Sequence, residues 1–127
     1  MVASAARTSI LLVDDTAVVR DSMKVFLEAY GYSVSVAKNG CEALTLLEGG
    51  LRPGLILLDL MMPVMDGYEF RKRQMQRSDL SGIPVVIYSG HYNPCLRMQE
   101  LRAAAYAQKP ISPHTLLSLV EAHRLRP

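Results

Sequence analysis

Tryptophan is absent from this chain, and phenylalanine and cysteine each occur only twice. The cysteines, Cys41 and Cys95, are far apart and form no CxxC or Cys/His pairing, so neither a disulfide framework nor a zinc site is indicated, and a reducing cytoplasm is the expected setting. Charge of one sign is lacking too. The 14 basic and 12 acidic residues leave a formal net charge of +2, too weak a bias to drive direct binding to nucleic acid or a membrane surface. Long hydrophobic runs are missing. The first, Ile10 to Val13, is cut off by Asp14 and Asp15 before it can form a signal-peptide core, and no stretch approaches the roughly 20 apolar residues of a membrane span. No low-complexity tract or internal linker interrupts the chain.

What is present is ordinary globular material: 127 residues, 50% of them hydrophobic and 20% charged, enough to bury one core without staples. Residues 1–8 read as a flexible leader and 9–127 as one domain. Ile10 to Val13 is a short continuous apolar run, as in a central strand covered on both faces. Asp15 or Thr16 can cap the helix that follows, in which Val19, Met23, Phe26, Leu27 and Tyr30 recur at helical spacing before Gly31 ends it. Ser33 to Val36 alternates polar and apolar, the pattern of a strand at a sheet edge. After an Asn39-Gly40 turn, a helix from about Cys41 to Glu48 turns Ala43, Leu44 and Leu47 inward. Leu55 to Leu58 is the next buried strand and delivers Asp59 at its carboxyl end. A loop from Pro63 to Gly67 leads into a third helix, Tyr68 to about Gln76. Pro84 to Tyr88 is a fourth strand ending at Ser89-Gly90. A helix near Leu96 to Arg102, a short strand around Ala104 to Ala107 and a helix from about Pro113 to His123 complete five strand-then-helix units. Such alternation implies an α/β, doubly wound, five-stranded parallel sheet with helices on both faces and a ligand site beyond the carboxyl ends of the strands.

Four segments put ionic or hydroxyl groups on that rim: Asp14-Asp15, Asp59, Ser89 and Lys109-Pro110. Carboxylates about 5 Å apart repel by roughly 3 kcal/mol per pair at an effective dielectric near 20, so the cluster calls for a cation, and all-oxygen ligands favour Mg2+ or Mn2+ over zinc. Beside a bound divalent ion, Lys109 can pair with an anion such as phosphate. Asp59 is then a carboxylate nucleophile for a phosphoryl group, with the Ser89 hydroxyl as a nearby donor.

Asp14-Asp15, the run Asp59-Leu60-Met61-Met62-Pro63-Val64-Met65-Asp66-Gly67, Ser89, Tyr106 and Lys109-Pro110 together resemble the receiver domain of two-component response regulators. The resemblance covers about Ser9 to Arg124. It implies a flavodoxin-like sheet of order 2-1-3-4-5 with five helices, and phosphorylation of Asp59 by a sensor histidine kinase or phosphotransfer protein in the cytoplasm. It further implies that Asp15, Asp59 and the backbone carbonyl of Met61 ligate Mg2+, that Asp14 acts mainly through water, and that Lys109, Ser89 and the Gly90 backbone contact the phosphoryl group. Ser89 and Tyr106 are the implied switch, remodelling a protein-binding face formed by the fourth helix, fifth strand and fifth helix toward a downstream partner the sequence does not name. Met61 and His91 stand where a side chain could modulate dephosphorylation, although a solvated loop histidine is the better reading of His91. The resemblance implies no enzyme acting on external substrates. One departure is local: receivers commonly carry Gly followed by Ala and acidic residues where this chain reads Arg102-Ala103-Ala104-Ala105.

Taken singly, these residues have plainer readings: a helix cap for Asp14-Asp15, a turn acid for Asp59, a strand-end donor for Ser89, a rim-packing aromatic for Tyr106 and a solvated lysine for Lys109. Their ordered spacing favours the joint reading. A pseudo-receiver that takes no phosphate is disfavoured by the complete set of pocket acids. A dehalogenase-like phosphatase needs a second acid where Met61 stands, and a flavodoxin-like carrier would have its cofactor phosphate repelled by Asp14-Asp15.

Overall fold

The computed structural model describes residues 8–90 and 99–126. The apolar runs form β1 (Ser9–Val13), β3 (Leu55–Asp59) and β4 (Val85–Ser89), and the more polar or small-residue strands are β2 (Ser33–Ala37) and β5 (Ala105–Gln108). Four helices lie among the described residues: α1 (Ala17–Ala29), α2 (Gly40–Glu48), α3 (Gly67–Met75) and α4 (Pro113–His123). The helix expected at Leu96 to Arg102 lies mostly outside the described residues; residues 99 and 100 are helical.

All strand pairs are parallel, in the order β2-β1-β3-β4-β5. The sheet is the one expected. Its alternating edge strand β2 and its continuous apolar strands β1, β3 and β4 follow from position, since a central strand meets helices on both faces and an edge strand does not. Side chains divide by the two-residue period of a strand. Leu11, Val13, Ile56, Leu58, Val85 and Ile87 pack toward Ala43, Leu44, Leu47 and Phe70 of α2 and α3. Ile10, Leu12, Leu55, Leu57, Val86 and Tyr88 pack toward Met23, Leu27, Leu116 and Val120 of α1 and α4. Full burial of each aliphatic side chain contributes about 1.5–3 kcal/mol, so these two layers hold the strand ends in fixed positions.

Local chemistry starts the helices where the sequence allows. Asn39 accepts from Glu42 N at 2.8 Å while Glu42 accepts from Lys38 N at 3.0 Å, and Asp66 accepts from Glu69 N at 2.9 Å. Ser112 does the same for Thr115 N at 3.1 Å, with Pro113 in the first turn. The start of α1 differs. Its N-cap is Thr16, one of the two residues expected there, but the Thr16 side chain makes no cap bond; the Thr16 carbonyl accepts from Arg20 N at 3.0 Å and its own N donates to Asp14 Oδ1 at 2.8 Å.

Candidate functional site

The period that sorts the core also builds the rim. On the α1/α4 face, Leu12 is followed two residues later by Asp14, Leu57 by Asp59, Val86 by Tyr88 and Ala107 by Lys109. Four neighbouring strands thus carry their last inward positions on that face from apolar side chains to polar ones. Parallel register aligns them, with Val13 opposite Leu58 and Asp59 opposite Tyr88.

Asp14 is fully buried and Asp59 is 3% exposed, whereas Asp15 is open to solvent. One carboxylate oxygen from each of the three lies within 4.8 Å of the others. Lys109 Nζ sits 3.2 Å from Asp14 Oδ2 and 3.2 Å from Asp59 Oδ2. One ammonium among three carboxylates leaves the cluster short of positive charge. Burial holds the Asp59 carboxyl above its ordinary pKa, with Lys109 pulling it back and the Asp14 charge adding to the rise. Burial alone would lower the Lys109 pKa, but Asp59 and Asp14 together outweigh it and hold the ammonium above its usual range. Two buried carboxylates, a third at the mouth and hard oxygen donors throughout fit a divalent cation.

The other expected residues fall in different places. Met61 N donates to Asp59 Oδ1 at 3.4 Å, and the Met61 side chain is exposed. Ser89 ends β4 and is buried, with its carbonyl accepting from Lys109 N at 2.9 Å; Gly90 follows it, exposed. Tyr106 lies on β5 opposite Ile87 and is half-buried against the α2/α3 core layer, on the far face of the sheet from Lys109. The Lys109-Pro110 bond is cis. His91 lies outside the described residues.

Two contributors, Tyr88 and Arg20, escaped the sequence reading, and a third, Gly67, was read there only as part of the run after Asp59. The Tyr88 hydroxyl donates to Asp14 Oδ2 at 2.5 Å; burial and then the Asp14 charge push its phenol far above the ordinary range, so it is a neutral donor. Alternation along β4 was the available signal, because it puts Tyr88 in the same row as Asp59. Arg20 Nη1 donates to the Asp14 carbonyl at 2.7 Å; nothing in the helical pattern of α1 marks it. Gly67 closes the loop after β3, its N donating to Leu60 O at 2.9 Å. A Cβ there would lie 2.5 Å from the Asp59 carbonyl oxygen and 2.8 Å from Leu60 Cα, so only glycine permits this approach.

Beside the carboxylates, between α1 and α4, an apolar groove of about 450 Å³ is lined by Val18, Val19, Met23, Phe26, Ile111 and Leu116 and ends at Tyr88 and Lys109. No helix among the described residues is long and apolar enough to cross a membrane.

Known proteins resemble this chain in sequence and in fold. The chain is 36% identical over 115 residues to response regulator Rre1 of Synechocystis sp., an alignment covering 88% of this chain and 49% of that protein. It is also 36% identical over 122 residues to an uncharacterized 14.6 kDa protein of Leptolyngbya boryana, covering 94% of this chain and 92% of the other. The chain spans about half the length of most of the curated relatives it matches, among them the DNA-binding response regulator MtrA of Mycobacterium leprae, at 52%. Among solved structures, chemotaxis protein CheY4 of Vibrio cholerae superposes with a TM-score of 0.85 at 30% identity, covering 91% of this chain and 98% of that one. The receiver domain of a signal transduction histidine kinase from Syntrophus aciditrophicus superposes with a TM-score of 0.83 at 33% identity, covering 91% and 88%. The family model described as the response regulator receiver domain matches residues 10–121, a span that includes the carboxyl end of every strand, and the chain belongs to that family.

Proposed function

We propose that Asp59 is the phosphoacceptor of a two-component phosphorelay and that residues 9–127 act as the receiver unit, with the 1–8 leader outside it. The observation that carries this reading is the Lys109 ammonium held 3.2 Å from both Asp59 and Asp14, inside a cluster of three carboxylates. An Asp59 carboxylate oxygen attacks the phosphorus of a phosphohistidine, forming an O–P bond as the N–P bond breaks and leaving the imidazole to take up a proton. Asp14, Asp15, Asp59 and the Met61 carbonyl would hold Mg2+, or Mn2+ in its place. Bound there, the ion supplies neutralisation of the carboxylates and of charge on the transferred group. Lys109 turns from its carboxylate partners to the phosphoryl oxygens, and the Ser89 hydroxyl with the Gly90 backbone N–H donates to the same group.

The donor fits a sensor histidine kinase or phosphotransfer protein, for which the apolar groove ending at Lys109 offers a contact surface beside the acceptor. The output is a protein partner on the face that includes β5 and α4, reached through Ser89 and Tyr106; most of the fourth helix expected on that face lies outside the described residues. The chain catalyses only its own phosphorylation and dephosphorylation, in the cytoplasm. Intact mass after incubation with acetyl phosphate tests the reading. A gain of one phosphoryl group that requires Mg2+ and is lost in Asp59→Asn is expected. No gain with acetyl phosphate, together with no binding of beryllofluoride, would make the chain a pseudo-receiver.

A further inference from the structure

Asp14 is held from every side. Its N donates to Ala37 O at 3.0 Å, its carbonyl accepts from Arg20, and its Oδ1 accepts from Thr16 N at 2.8 Å. Its Oδ2 takes two donors, the Tyr88 hydroxyl and Lys109 Nζ. Tyr88 reaches this oxygen from β4 across the intervening strand β3, where its register partner is Asp59, and it also lines the end of the apolar groove. The ring is 1% exposed, and phenylalanine would fill the same space among Leu12, Leu57 and Val86. Packing therefore accounts for the ring and leaves the hydroxyl to be explained. A buried phenol needs an acceptor, and this one takes a carboxylate of the cation site in preference to a strand-end carbonyl.

The two donors on Oδ2 are not equivalent. Lys109 is shared equally between Asp14 and Asp59, and any anion that engages it weakens its hold on Asp14. Tyr88 is neutral and buried, and its bond to Asp14 does not depend on what Lys109 is doing. With Oδ2 occupied, the remaining acceptor capacity of Asp14 lies on Oδ1, which takes a single N–H.

We propose that Tyr88 is a positioning residue of the phosphoryl site: its hydroxyl fixes the Asp14 carboxylate so that the cluster is ready for a divalent cation. The proposal rests on reading the three carboxylates as a cation site. Hydrogen-bond partners behind metal-binding side chains set their orientation, and losing one weakens metal affinity by about 10- to 100-fold. Tyr88→Phe keeps the ring and removes only the donor.

The test is an Mg2+ titration of the wild-type chain and Tyr88→Phe by calorimetry. Alongside it, the 13Cζ resonance of Tyr88, assigned in the tyrosine-labelled wild-type chain, is followed over the same titration. Tyr88→Phe should bind Mg2+ about tenfold more weakly. Its phosphorylation by acetyl phosphate should need correspondingly more Mg2+ to half-saturate, with the rate at saturation near that of the wild type. In the wild type the Tyr88 resonance should move with the same midpoint as the heat of binding. Affinity in Tyr88→Phe within about twofold of wild type, or tighter, would overturn the proposal, as would a Tyr88 resonance that stays still while Mg2+ binds. If Tyr88→Phe does not fold, the wild-type resonance alone decides. A wild-type chain that binds no Mg2+ and takes no phosphoryl group overturns the functional reading and this proposal together, whereas one that does both, with Tyr88→Phe unchanged, overturns only the role of Tyr88.

Discussion

Asp59 is a carboxylate that the fold holds against its own preference. It is 3% exposed and faces Asp14, with one shared lysine for compensation. Its folded pKa lies above the unfolded value, chiefly through burial. Folding therefore favours its protonated form, and the stability it contributes is present below the unfolded pKa and lost as pH rises through the folded pKa. Asp59→Asn keeps the shape and removes the charge. In chelator-treated protein at neutral to alkaline pH, urea melts should show Asp59→Asn more stable than wild type by about 1–2 kcal/mol. The gap should close as pH falls through the raised Asp59 range; a gap that widens toward acid would mean the carboxylate is stabilised by its surroundings. Lys109 carries the opposite burden, since among the described residues its ammonium is the one cation paired with Asp59, and its position one residue beyond β5 is fixed by its N–H on the Ser89 carbonyl.

At the scale of elements, loops set the site more than strands do. The segment from Leu60 to Asp66 returns to β3 through Gly67, which approaches the Asp59 carbonyl more closely than any side chain permits. Gly67→Ala must push the loop or the end of β3 aside. It should lower the thermal midpoint by the equivalent of about 2 kcal/mol or more and slow phosphoryl uptake at saturating Mg2+, measured by intact mass against time; a variant with wild-type stability and rate would show that the loop yields freely. On the other side of α3, Arg71 is buried and its guanidinium donates to neutral acceptors: Nε to Leu101 O at 2.7 Å, Nη2 to Arg102 O at 3.0 Å and Nη1 to Gln74 Oε1 at 2.8 Å. It ties α3 to the chain entering β5. Arg102 there has a φ of 49°, a left-handed conformation at the position where the family commonly has glycine, and the Arg71 bond to its carbonyl helps hold it.

For the whole molecule, the question is how a charge added at Asp59 reaches the far face of the sheet. Ser89 and Tyr106 are in adjacent strands, with Ser89 opposite Gln108 and Tyr106 opposite Ile87, the pairing through which the proposed switch would pass a shift at the end of β4 to β5. A ligand can shift a two-state equilibrium only by its difference in affinity for the two states, and a nearly complete switch needs roughly 5.5 kcal/mol. Beryllofluoride with Mg2+ should displace backbone amide resonances of β5 and α4 as well as those next to Asp59, and Ser89→Ala should confine the change to the neighbourhood of Asp59. Equal propagation in Ser89→Ala would remove Ser89 from the switch.

The sequence by itself determined the strands, the four described helices and the row of acids, because alternation, apolar runs and caps such as Asn39, Asp66 and Ser112 act within a few residues. It also carried the family resemblance, through Asp14-Asp15, Asp59, Ser89 and Lys109. Only the tertiary structure decided that Lys109 sits between Asp14 and Asp59, that Tyr88 bonds across β3 to Asp14, and that Arg71 is tied to Leu101 and not a solvated helix residue. Those contacts join residues 30 to 95 positions apart, such as Arg71 with Leu101 and Asp14 with Lys109. No local period records them; they exist because packing two core layers against one twisted sheet brings the strand ends to a single rim.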